Sequence, residues 1–145
     1  MGLKFASIIG FSVGPLILVI LFMRDSLLGV GFVAILVQVL AVLLMLWARV
    51  TFGRRSFHAS ADPTEGGLIS SGPYHYLRHP IYAAVLYFLW AGIFSHLSIL
   101  NIFLGFIATT GTFIRIFAEE RLVTEQYPSY VEYASRTKRI IPYIL

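Results

Sequence analysis

At 145 residues the chain is long enough for one domain and too short for two with full cores. Apolar residues make up 58% and charged residues 12%, against about a quarter charged in water-soluble domains, so lipid rather than water alone is the expected solvent. The net charge of +4 sits in short stretches beside apolar runs, which makes anionic headgroups the nearer counter-charge and argues against nucleic acid as a partner; with no cysteine, disulfides, thiolate nucleophiles and thiolate metal sites are excluded.

Four apolar runs follow in chain order. The first covers residues 5–23, contains Gly14-Pro15, and lacks the small-residue cleavage site of a signal peptide. The second covers 27–48, with Gln38 as its one strongly polar interior residue. A connector over 49–79 is rich in Gly, Ser, Asp and Pro, and Ala61 to Gly67 reads as successive turns. The third run, 80–94, opens on Pro80, a favourable first-turn residue, and is short for a span. The fourth, 99–117, follows closely enough to form a hairpin with it. The remainder, 118–145, mixes Leu122, Val123, Tyr127, Tyr130, Val131 and Tyr133 with charged residues, and Pro128 breaks any helix near Gln126. It reads as an interfacial lid segment.

The expectation is one all-α domain over 1–145, an integral membrane bundle of about four transmembrane helices with a C-terminal interfacial segment. Arg49, Arg54, Arg55 and Arg78 lie between the second and third runs, and Arg121, Arg136, Lys138 and Arg139 follow the fourth, whereas the two opposite loops hold only Arg24. By the positive-inside rule both termini then lie in the cytoplasm.

The segment Gly72-Pro-Tyr-His-Tyr-Leu-Arg-His-Pro-Ile-Tyr82 concentrates two histidines, an arginine and three tyrosines at the start of an apolar run. Polar groups are costly there unless they bind something. Arg78 offers a rigid fork of donors for a carboxylate or phosphate. His79 is held outside the helix by Pro80, and Tyr82 follows about one turn on. Glu119-Glu120 closes the next run, so the hairpin brings the two clusters to one face. One glutamate is free to bind a cation while the other pairs with a neighbouring arginine; Glu119 has Arg115 four residues earlier, which leaves Glu120 as the expected cation partner. For Tyr74, Tyr76 and the connector arginines, interfacial anchoring and topology are equally serviceable readings.

These residues resemble the isoprenylcysteine carboxyl methyltransferase and phospholipid methyltransferase superfamily. Leu68 to Tyr82 carries the stronger part of the likeness, and Glu119-Glu120-Arg-Leu122 with Tyr130, Tyr133 and Arg139-Ile-Ile-Pro142 the rest. Ala84 stands where the family often has glycine, and Tyr127-Pro128 where it often reads Phe-Gly. The resemblance implies an enzyme using S-adenosylmethionine, with Tyr74, Arg78, His79, Tyr82, Glu119 and Glu120 on the cofactor. It implies Tyr130 and Arg139 on the substrate, and Arg139, Tyr133 and His79 at the chemistry, without a metal. The expected reaction is methyl transfer to a lipidic or small hydrophobic acceptor, a carboxylate or a lipid amine, at the cytoplasmic face of a prokaryotic inner membrane. The partners are membrane lipids and that acceptor. The competing expectation is a non-enzymatic membrane scaffold or transport component that keeps the family fold.

Overall fold

The computed structural model describes residues 2–53 and 68–144, with residues 2–7, 9 and 11 described by their backbone alone. Arg54, Arg55 and the turns expected over 61–67 therefore lie outside the described residues. Five α-helices are present among them: α1 (Gly2–Met23), α2 (Phe32–Phe52), α3 (Pro80–Ser95), α4 (Ile99–Gln126) and α5 (Tyr130–Arg136), with a 3₁₀ turn at Gly72–His75.

α1 lies along α4, and α2 along α3, while α3 also meets α4. Glycines set the closest approaches. A Cβ on Gly10 would stand 2.6 Å from the Gly111 carbonyl oxygen, and one on Gly92 only 2.1 Å from that of Leu27. Two apolar clusters fill the interior. Ile17, Leu21, Leu89, Ile93 and Ala108 join α1, α3 and α4. Leu77, Ala83, Leu86, Ile116 and Ile140 join α3 and α4 to the C-terminal segment.

Polar side chains tie the end of the bundle that holds the α1–α2 and α3–α4 loops. Gln38 is buried, donates to the carbonyls of Leu27 (2.8 Å) and Phe88 (3.1 Å), and accepts from the Gly29 amide (2.8 Å). Ser98 caps α4 through the Asn101 amide, and the Asn101 side chain donates to the His96 carbonyl at 2.7 Å. The lone polar residue of the second apolar run is thus a structural tie: a buried amide satisfies loop groups at Leu27 and Gly29 and bonds the Phe88 carbonyl within α3 as well.

The number of spanning helices departs from the sequence expectation. Among the described residues two helices, α2 and α4, are long and apolar enough to cross a membrane. The apolar helical stretch Ser12–Met23 and α3 are shorter. With a rise of about 1.5 Å per residue, a helix the length of α3 falls short of a hydrocarbon core of about 30 Å. The bundle of about four transmembrane helices is therefore replaced by five helices with two candidate spans. The cytoplasmic placement of both termini rests on the arginine distribution along the chain, which the packing of the helices does not address. α4 continues past the end of the apolar run at 117 to Gln126, where Pro128 is expected to break it, with Arg115 and Glu119 paired one turn apart on the way.

α2 has a mean hydropathy of 2.4 over a window only 17% buried. Val33, Ile35, Val39, Leu40, Leu43, Leu46 and Val50 stay outside the core. So dense an apolar surface is stable against another apolar phase, consistent with a membrane.

Candidate functional site

The site forms at the other end of the bundle, where α3 begins, α4 ends and the C-terminal segment returns. His79 is the N-cap of α3, and Pro80 sets the helix start. Just before it, Leu77 forms a parallel bridge with Lys138. The Arg78 amide donates to the Lys138 carbonyl at 2.6 Å, the His79 amide to the Arg139 carbonyl at 3.0 Å, and the Lys138 amide to the Tyr76 carbonyl at 3.2 Å. This short ladder aligns Arg78-His79 with Lys138-Arg139 although about sixty positions separate them.

Arg78, His79 and Arg139 meet Glu120, and Tyr82 and Arg115 meet Glu119. One Glu120 oxygen takes Arg78 at 3.3 Å and the His79 ring at 3.3 Å; the other takes Arg139 through Nε at 3.1 Å and a terminal nitrogen at 3.0 Å. One Glu119 oxygen accepts from the Tyr82 hydroxyl at 2.6 Å and from Arg115 Nε at 2.7 Å. Its second oxygen lies 3.7 Å from His79 Nδ1. The His79 ring therefore stands between both carboxylates and stacks on Tyr82 with centroids 5.7 Å apart. Glu120 is 11% exposed and Glu119 21%, so Glu119 is the more open of the pair.

The tyrosines surround this network unequally. Tyr82 joins it directly. Tyr133 donates its hydroxyl to the Tyr74 carbonyl at 2.6 Å, and the Tyr74 ring leans on Phe52 at 5.4 Å. Tyr130 is buried with its ring 5.8 Å from Tyr133. Burial pushes the Tyr133 hydroxyl up to about 12, and raises Tyr74 and Tyr130 further, so all three stay neutral donors near neutral pH. By contrast, His75 and Tyr76 are exposed and rest edge-on against each other. Their presence in the polar segment does not bring their side chains into the network.

A cleft of about 570 Å³ opens beside the glutamates, lined by Arg78, Phe117, Glu120, Thr124, Tyr130 and Val131 among others. The Arg139 guanidinium lies 5.2 Å over the Phe117 ring, a cation–π contact. Arg78 Nε is buried and has no hydrogen-bond partner among the described residues.

Two participants escaped the sequence reading. Arg115, in sequence simply the residue four before Glu119, has a side chain 3% exposed and holds both Glu119 and Tyr82, the latter at 3.1 Å. An arginine inside Phe113-Ile-Arg-Ile-Phe117 was the available signal. Tyr87 donates its hydroxyl to the Ile140 carbonyl; nothing in the sequence marks it apart from other aromatics of the third apolar run.

No curated protein and no solved structure matches the chain. The sequence profile described as phospholipid methyltransferase matches residues 26–129, more than half of the chain and including both Arg78-His79 and Glu119-Glu120. The chain therefore belongs to the phospholipid methyltransferase family, whose typical activity is S-adenosylmethionine-dependent methyl transfer.

Proposed function

We propose that this methyltransferase acts on the carboxylate of a lipidic or hydrophobic acceptor at a membrane face. The observation that supports this reading is the surplus of fixed positive charge: Arg78, Arg115 and Arg139 converge on two carboxylates. The residues also fit the cofactor. A buried guanidinium nitrogen with no partner among the described residues borders a cleft of small-molecule size, and the 21% exposed carboxylate of Glu119 adjoins Glu120 in its lining, a pairing suited to the two charged ends of an amino-acid moiety. In this reading Glu119 takes the α-ammonium, Arg78 the α-carboxylate, and Tyr74, His79 and Tyr82 shape the wall behind them. Glu120 aligns Arg78, His79 and Arg139 rather than meeting the ligand itself.

The bound cofactor supplies an already activated methyl group on a positively charged sulfur. What the protein contributes is position and dryness. Arg139 spends two of its five donors on Glu120 and orients the acceptor carboxylate with the others. Tyr130 and Phe117 give the cleft apolar walls, and Tyr133 pins the C-terminal segment across it, which limits water. A carboxylate nucleophile needs no proton removed.

The family description favours a second acceptor, the amine of a phospholipid headgroup. That acceptor must lose a proton first. His79 has both ring nitrogens against carboxylates, and both glutamates accept from arginines, so each candidate base is already engaged within this network.

Titration calorimetry of the detergent-solubilised chain with S-adenosylmethionine tests the cofactor; silence at millimolar concentration would favour the scaffold reading. Transfer of a tritiated methyl group to a lipid carboxylate in proteoliposomes tests the acceptor. An ester product releases its label in mild alkali, whereas an alkali-stable N-methyl product would replace the carboxylate by the amine.

A further inference from the structure

Tyr87 lies on α3 five residues after Tyr82, outside the charged network, and its hydroxyl donates to the carbonyl of Ile140. Ile140 is buried in the cluster of Leu77, Ala83, Leu86 and Ile116, directly after Arg139. The segment 137–140 is thus pinned at both ends by tyrosine hydroxyls: Tyr133 on the Tyr74 carbonyl before it, and Tyr87 on the Ile140 carbonyl at its end. Between the pins it contributes three backbone hydrogen bonds with Tyr76, Arg78 and His79. Across this ladder, Arg78 and His79 from one strand and Arg139 from the other meet Glu120.

We infer that Tyr87 is a positioning residue for methyl transfer, acting through the 137–140 strap to set both the His79 ring and the Arg139 guanidinium. A two-residue parallel pairing is too short to hold itself, since each strand offers few ladder bonds against the entropy of ordering it. The strap needs anchors that do not depend on the ligand. Ile140 supplies apolar burial, and the Tyr87 hydroxyl fixes its register along the chain axis. Losing that bond lets Ile140 stay buried while Arg139 shifts relative to Glu120, a displacement of the kind that damages a preorganised site. The functional half of this inference rests on the cofactor assignment above; the structural half does not.

The test is Tyr87→Phe, which keeps the ring, studied by hydrogen exchange and cofactor titration in detergent. Exchange of the Arg78, His79 and Lys138 amides should rise about threefold to tenfold, the range expected for one hydrogen bond, while amides of α2 stay unchanged. Affinity for S-adenosylmethionine should fall by a similar factor, and kcat should fall further than KM rises. Tyr143→Phe, at an 84% exposed residue, should change none of these. Unchanged exchange at the three amides would show that Tyr87 does not hold the strap. Faster exchange with undiminished affinity and turnover would show that the strap does not position the site. In the unaltered chain, added cofactor should slow exchange at the same amides, as reciprocity requires; binding without slowing would overturn the coupling even if the variant failed to fold. Absence of any cofactor binding by the unaltered chain would instead overturn the functional reading, leaving the exchange comparison to decide the role of Tyr87.

Discussion

Two adjacent glutamates occupy different electrostatic settings, and that difference is the residue-scale lesson of the site. Sequence spacing favours Glu120 for a bound cation because Glu119 has an intrahelical arginine partner. In space Glu120 meets Arg78, His79 and Arg139, whereas the second Glu119 oxygen lies 3.7 Å from the His79 ring and Glu119 is the more exposed of the two. Glu119→Gln should therefore weaken S-adenosylmethionine by about 1.5–3 kcal/mol, the scale of a hydrogen bond to a charged group, and should lower the melting temperature because buried Arg115 loses its carboxylate. Glu120→Gln should lower the melting temperature as well, since three cationic groups lose their common partner. Calorimetric titration and a detergent melt of both variants separate the roles; equal affinity losses with equal melts would erase the distinction. Arg115 is the second residue-scale case. Its replacement by Met strands the Glu119 carboxylate and should cost about 3 kcal/mol, the lower end for breaking a buried pair. Adding Glu119→Gln to that variant should recover part of the loss in the same melt.

Elements are joined here by two devices, glycine contacts and polar ties to loop backbone. Gly92→Ala places a carbon 2.1 Å from the Leu27 carbonyl oxygen and 2.8 Å from its carbon. Both neighbours are backbone, so α3 must move away from the α1–α2 loop, at about 2–3 kcal/mol. Gln38→Leu leaves the Leu27 and Phe88 carbonyls and the Gly29 amide without their partner. That should cost about 1–3 kcal/mol despite the gain in apolarity. Guanidinium or thermal unfolding in detergent measures both. Neither should alter cofactor affinity in the protein that remains folded, because these contacts lie at the end of the bundle away from the glutamates. A specific affinity loss in either variant would mean that the two ends communicate.

For the whole molecule, the C-terminal segment is the part whose removal discriminates most. Tyr130 and Ile140 are buried, and the latter completes the cluster beside the site. Deleting Tyr130 to Leu145 leaves α2 and α4, the two helices among the described residues that are long enough to cross a membrane, so the truncated chain should still associate with bilayers. Its methyl transfer should fall by several orders of magnitude, because Arg139 and the strap that aligns His79 leave together. Labelled methyl transfer in proteoliposomes, with flotation to confirm membrane association, checks this. Full turnover by a membrane-bound truncation would remove Tyr130, Tyr133 and Arg139 from the site.

Local chemistry was enough to find the helices and the polar segment. Pro80 marks a helix start, Pro128 lies two residues past the end of α4, and Arg78, His79, Tyr82 and the glutamates declare themselves because ionisable groups beside apolar runs are costly without partners. The count of membrane-crossing helices was not legible in the same way, since apolar runs that pack against neighbours and runs that meet lipid have similar composition. Nor was the division of labour between Glu119 and Glu120, the exclusion of His75 and Tyr76, or the roles of Arg115 and Tyr87. Each of these depends on which groups a residue meets across the fold. A hydroxyl on α3 finds a carbonyl fifty-three positions away, and no pattern along the chain encodes that meeting. Residue types and spacing determined which chemistry the chain carries; only the packing of α3, α4 and the returning strap decided which atoms are left to perform it.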